Sequence, residues 1–166
     1  LARDIKSKQL PVDVILKQIE GKMLKDEDVA VALKSKVFKR NEMKNVRYLL
    51  QKIYAYENNG EILINDNSMH VNLEHILPQN PKKNSSWENL FVKETREEYI
   101  GNLGNMTLVL STANSSIGNK EFEEKREILA ESQIPQNKEI AKLDQWTPEK
   151  IEERLKSLTK SFVQVF

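Results

Sequence analysis

"VNLEHILPQN", residues 71–80, reads as a strand that stops at a turn-rich end. It carries His75, one of two histidines in the chain, with Glu74 before it and Pro78 three residues after it. A second short strand is predicted over "NMTLVL", residues 105–110. "STANSSIGN" follows it, read from its composition as a loop, and "KEFEEKREILAES" is read as a helix with Asn119 as its cap. A two-stranded hairpin followed by a helix brings the end of the first strand near the start of the helix. Glu74, His75 and Asn114 are therefore expected at one site.

The flanks of this insert read as helices. "PVDVILKQIEGKM" places Val12, Ile15, Leu16 and Ile19 on one face. "DEDVAVALKSKVF" has acids in its first turn and lysines later, as the helix dipole prefers. "NEMKNVRYLLQKIYAYENNG" has Asn41 as a cap, an apolar stripe of Met43, Val46, Leu49, Leu50, Ile53 and Tyr54, and a stop at Asn58-Asn59-Gly60. In "WTPEKIEERLKSLTKSF", Thr147 is the N-cap and Pro148 the first helical residue. Ile151, Leu155, Leu158 and Phe162 form its buried stripe. The expected fold is mainly α with a small central ββα insert, α+β in class. Residues 1–60 are expected as a basic helical part packed on a core of residues 61–166.

Composition narrows the chemistry. The 166 residues contain no cysteine, which excludes disulfides, thiol nucleophiles and thiolate zinc sites. No apolar run approaches the ~18 residues of a membrane helix, so no membrane partner is expected. The chain opens "LARDIKSKQ", without an initiator Met or the apolar core of a signal peptide, and reads as a piece of a longer protein. Net charge is +1, but residues 1–60 hold 13 Lys and Arg against 8 Asp and Glu. That excess can supply phosphate contacts, although charge alone favours the plainer reading of a solvated helix surface.

A neutral histidine accepts a proton from water near neutral pH, with activity expected to fall below its ordinary pKa of ~6.5. The Glu74 carboxylate and the Asn114 amide are oxygen donors, which suit a hard divalent ion such as Mg²⁺ or Mn²⁺. Together these groups suggest phosphodiester hydrolysis with a histidine base and one metal ion.

The order Glu74-His75-Ile76-Leu77-Pro78, then Asn105-Met106-Thr107-Leu108-Val109, then Asn114, resembles the HNH, or His-Me finger, nucleases. "VRYLLQKIY", "LEHILPQ", "YIGNLGNMTLV" and "NSSIGNKEFEEKREIL" together look like the C-terminal nuclease domain of GmrSD-type modification-dependent restriction and phage-defence proteins. The resemblance implies a ββα-metal core and a prokaryotic, cytoplasmic DNA endonuclease or nickase. It implies His75 as general base and Glu74 and Asn114 as metal ligands. Asn105 matches the Asn that holds the loop and orients the base. Lys120 and Lys125 match basic positions that hold a phosphate. It also implies DNA as partner, with an NTP-using sensor domain N-terminal to this one in the same protein.

Lys82, Lys83 and Arg47 are further candidates for the DNA backbone, beside the plainer reading of solvent exposure. His70 has no matched partner and reads as structural or exposed. Trp87 and Trp146 read as core anchors. The competing function is a non-catalytic nucleic-acid- or partner-binding module on an HNH-like scaffold.

Overall fold

A computed structural model of the chain describes residues 25–60 and 71–166. The predicted helix over residues 11–23 and His70 lie outside the described residues. Helix α1 spans Asp26–Ser35 and α2 spans Met43–Glu57, with a 3₁₀ turn at Arg40–Glu42 between them. Strand β1 is Val71–His75. Two short helices follow, α3 at Ser86–Leu90 and α4 at Lys93–Ile100, then a 3₁₀ turn at Leu103–Asn105. Strand β2 is Met106–Leu110 and runs straight into α5, Ser111–Ile117. Helices α6 (Phe122–Ala130), α7 (Pro135–Ala141) and α8 (Pro148–Val165) complete the order. The fold is mainly helical around a two-stranded antiparallel sheet, as the sequence implied.

The strands pair with Val71 opposite Leu110, Glu74 opposite Thr107 and His75 opposite Met106. Two hairpin strands alone are marginal in water, so this ribbon depends on its flanks. Period-two alternation splits its side chains between them. Val71, Met106 and Leu108 join a core with Leu33 of α1, Val46, Leu50, Ile53 and Tyr54 of α2, and Leu155 and Leu158 of α8. Val109 joins a second core with Ile76, Leu77, Trp87, Ile117, Phe122 and Trp146. The hairpin lies between the two cores.

A directed chain of hydrogen bonds also grips β2. Arg154 of α8 donates to the carbonyls of Gly104 (2.6 Å) and Met106 (2.8 Å) and to the Tyr54 hydroxyl (2.7 Å). Thr107 donates to Asn137 Oδ1 at 2.6 Å, so its 2.8 Å contact with Tyr54 must be donated by the tyrosine. The Asn137 amide passes its own protons to Leu108 O and Ser132 Oγ. Each polar group in this buried chain therefore has a partner, the condition under which such networks rigidify rather than destabilise.

Helix ends follow local chemistry, with two corrections. Thr147 caps α8 by accepting from Lys150 N, with Pro148 first in the helix, as expected. Asn59 and Gly60, both at positive φ, end α2 where Asn58-Asn59-Gly60 predicted. Asn119 does not cap α6. Glu121 holds that position, and Glu124 reaches back to its backbone N–H in a capping box. Asn41 lies inside the 3₁₀ turn that precedes α2, whose N-cap is Glu42.

The larger correction concerns residues 111–117, which form α5 rather than a loop. Their Ser, Thr and Asn content favours turns, but Ile117 is fully buried in the second core and Ala113 packs against it. Burial of an i, i+4 apolar pair overrides the weak local preference. Gly118, with φ of +44°, then reverses the chain toward α6.

Candidate active site

The site forms where β1 ends. Glu74 and His75 are its last two residues, and the chain must turn away immediately after them. Asn105 makes that turn rigid. Its side chain is fully buried, and its Oδ1 accepts from Leu77 N (2.7 Å) and from the Trp146 indole (3.0 Å). Its Nδ2 donates to Leu77 O (3.0 Å) and Ile100 O (3.4 Å). Its backbone carbonyl accepts from Ile76 N. Both faces of the amide are thus committed to the segment behind His75. Asn105 braces the segment that follows His75, with both ends of its amide hydrogen-bonded within the protein.

An aromatic row supports this clamp. Phe122 stacks on Trp146 with centroids 5.9 Å apart, Trp87 meets Phe122 edge-on at 6.3 Å, and Phe91 lies against Trp87. Trp87 and Trp146 are fully buried, as the sequence suggested. Each indole N–H has a carbonyl-type acceptor, Lys120 O for Trp87 and Asn105 for Trp146.

Glu74 is 8 % exposed and pairs with Lys125 of α6, Nζ to Oε1 at 2.7 Å. The same ammonium donates to the carbonyl of His75 at 2.8 Å. Burial pushes the Glu74 carboxyl up from its ordinary range, opposed by Lys125. Burial likewise pushes Lys125 down, opposed by Glu74. A lysine inside the protein holds its charge only when paired and hydrogen-bonded, and both conditions are met. The expected phosphate-binding role of Lys125 is therefore corrected. Its side chain is completely buried and its ammonium is engaged with Glu74 and His75.

His75 is partly buried, and its pKa is lowered to about 4. Desolvation of the imidazolium is the main cause, and the positive Lys125 adds to it. The ring is therefore neutral at pH 7, the form a general base needs, and stays so well below 6.5. The ordinary histidine value of ~6.5 therefore does not describe this ring. The Gln79 amide nitrogen lies 3.4 Å from Nε2. An amide N–H can donate only to a bare Nε2, which would place the ring proton on Nδ1.

The remaining candidates are less closely joined to this centre. Asn114 lies in α5, which follows β2 without a break; its side chain is outside the described part of the structure. Lys82 and Lys83 are exposed in the loop after β1. Lys120 is partly exposed and pairs with Glu124 at 3.4 Å. Arg47 is half-buried on α2. Among the described residues, no group of three or more His, Asp or Glu is placed to hold a metal ion. Sequence reading missed Gln79, although it quoted the stretch containing it, and missed the pairing of Lys125 with Glu74. The basic residue after the final Asn was visible, but only burial reveals which way it points.

An antiparallel strand pair that feeds directly into a helix, with a histidine closing its first strand, is the arrangement the HNH-type resemblance led us to expect. The family model described as GmrSD restriction endonucleases, C-terminal domain, matches residues 23–161, and the chain belongs to that family. No curated protein matches the sequence.

Proposed function

We propose that this domain is a metal-dependent DNA endonuclease that cuts one strand at a time, with His75 as its general base. The observation that supports it most is the Asn105 clamp, which fixes the segment directly behind His75 at the end of β1, where burial lowers the imidazole pKa to about 4. In this reading His75 takes a proton from the attacking water as the oxygen–phosphorus bond forms. The P–O3′ bond breaks, and the 3′ oxygen leaves with the bonding electrons. A histidine fixed in place and already neutral loses little to reorganisation before the step.

The donor set fits a hard, largely hydrated cation. Glu74 offers the carboxylate oxygen that Lys125 does not hold, and Asn114 offers an amide oxygen. Mg²⁺ and Mn²⁺ are served by one or two protein oxygens, with water and phosphate completing the shell. An all-protein zinc site would need more ligands than these. When bound, such an ion supplies charge stabilisation at the scissile phosphate and the leaving oxygen. Exposed Lys82 and Lys83, with Lys120 and Arg47, are proposed to steer the DNA backbone through charge, without reading bases. Target choice then belongs to an NTP-using sensor domain of the same protein, acting in a prokaryotic cytoplasm. No helix among the described residues is long and apolar enough to cross a membrane.

The test is nicking of supercoiled plasmid with Mg²⁺ or Mn²⁺, beside EDTA and a His75→Ala control. Open-circle product that needs metal and vanishes in the variant is expected. Cleavage by His75→Ala at the wild-type rate would remove the base assignment. DNA retention with no product in any metal would favour a binding module.

A further inference from the structure

The buried lysine is the part of this site that its proposed chemistry leaves unused. Lys125 is the sole lysine among the fully buried residues described, on a helix that starts more than forty residues after β1. Its ammonium bridges two consecutive residues of the strand end, the Glu74 carboxylate at 2.7 Å and the His75 carbonyl at 2.8 Å. A side-chain contact alone would neutralise Glu74. The contact to the backbone of His75 does something more, because it fixes the peptide from which the imidazole projects.

Asn105 holds the next two residues of the same segment, Ile76 and Leu77. Its grip begins one residue after His75, and that of Lys125 ends on His75 itself. Between them the two residues hold consecutive stretches of backbone, Lys125 at His75 and Asn105 at the two residues after it. A hydrogen-bonded charge inside the protein is strongly directional and has no water to exchange with.

We propose that Lys125 is a positioning residue for the reaction, holding the Glu74 carboxylate and the His75 backbone in register without touching DNA. This rests on the nuclease reading for its catalytic consequence but not for its structural content. A phosphate-binding lysine would be exposed and would act on affinity. A positioning lysine acts on turnover, because displacement of a reacting group by ~1 Å can cost roughly 100-fold in rate.

The test compares Lys125→Met and Lys125→Gln with wild type. Three readouts are taken: kcat and KM for nicking, DNA affinity, and the imidazole ¹³Cε1–¹H NMR signals of the two histidines. Those signals are assigned with His70→Gln. Lys125→Met is expected to lower kcat roughly 100-fold, with KM and affinity little changed. The His75 signal moves or broadens while that of His70 stays. Lys125→Gln, which keeps an N–H donor, recovers part of kcat.

Weaker DNA binding with kcat intact would overturn the proposal in favour of a phosphate contact. A lower melting temperature with normal kcat in the folded protein would reduce Lys125 to a structural role. If Lys125→Met fails to fold, the double variant Glu74→Gln, Lys125→Met removes both buried charges together. A His75 signal at its wild-type position in that protein would overturn the proposal. Should wild type not nick DNA at all, the nuclease reading falls, and the His75 signal alone decides whether Lys125 places the ring.

Discussion

Asn105→Ala strips the clamp behind His75 and should be among the most damaging single changes in this domain. The loss can be worked out bond by bond. Truncation strands two buried donors, the Leu77 N–H and the Trp146 indole N–H, and frees the carbonyls of Leu77 and Ile100. A buried donor without a partner costs about 1–3 kcal/mol, so two cost about 2–6 kcal/mol. Against a typical stability of ~5–15 kcal/mol, a loss near 4 kcal/mol is large. Urea unfolding followed by tryptophan fluorescence reads it directly, since both tryptophans are buried. With a slope of ~2 kcal/mol/M, the midpoint should fall by about 2 M.

Asn105→Asp sharpens the test. It keeps both acceptor positions but turns an oxygen toward two carbonyls that need a donor. Burial and those carbonyls should raise the aspartate's folded pKa above its unfolded value of ~3.9. The native state then binds more protons than the unfolded chain, so stability relative to wild type should fall as pH rises from about 4. A midpoint shift under about 0.5 M for the alanine variant, or a pH-independent aspartate variant, would refute the clamp.

The acid limb of the nicking rate should lie well below pH 6.5, toward the lowered His75 pKa of about 4. A bound cation beside the ring would displace it in the same direction, so an inflection near 6.5 would contradict the buried, neutral imidazole. The same shift makes the neutral ring a stabilising feature above pH 6.5 that is lost as pH falls toward 4, visible as a declining melting temperature across that window. Gly104→Ala would drive its new Cβ into the Ile151 backbone carbonyl of α8. Such overpacking costs about 1–3 kcal/mol, or roughly 2–12 °C in Tm for a chain this size; an unchanged melt would show that α8 yields freely.

The strand end, the second strand and the long helices were legible because each has a strong local marker. β1 stops at a turn-rich end, α2 carries a six-residue apolar stripe, and α8 has Thr147-Pro148 at its start. The strand pattern placed Glu74 and His75 at the end of β1, whereas Asn105, expected as the first residue of the second strand, closes the 3₁₀ turn just before it. What stayed hidden depended on burial. α5 looked like a loop because its helix rests on Ala113 and Ile117 packing in a core assembled from distant residues. Lys125 looked like a surface cation because its ion pair spans 51 positions. Composition cannot reveal a partner so far away. Gln79 was passed over because its four-residue spacing from His75 suggests contact only within a helix, and this segment is not one.

The grip of Arg154 on β2 also has a consequence in time. Until residue 154 has been synthesised, the carbonyls of Gly104 and Met106 and the hydroxyl of Tyr54 lack the guanidinium that satisfies them. A ribosome adding ~5–20 residues per second therefore carries His75 for about 4–16 seconds before the strand opposite it can be locked. The nascent chain holds the pieces of the candidate site throughout that interval without this support. Placing this support on the last helix described ties the final locking of β2, and of the candidate site beside it, to the synthesis of that helix.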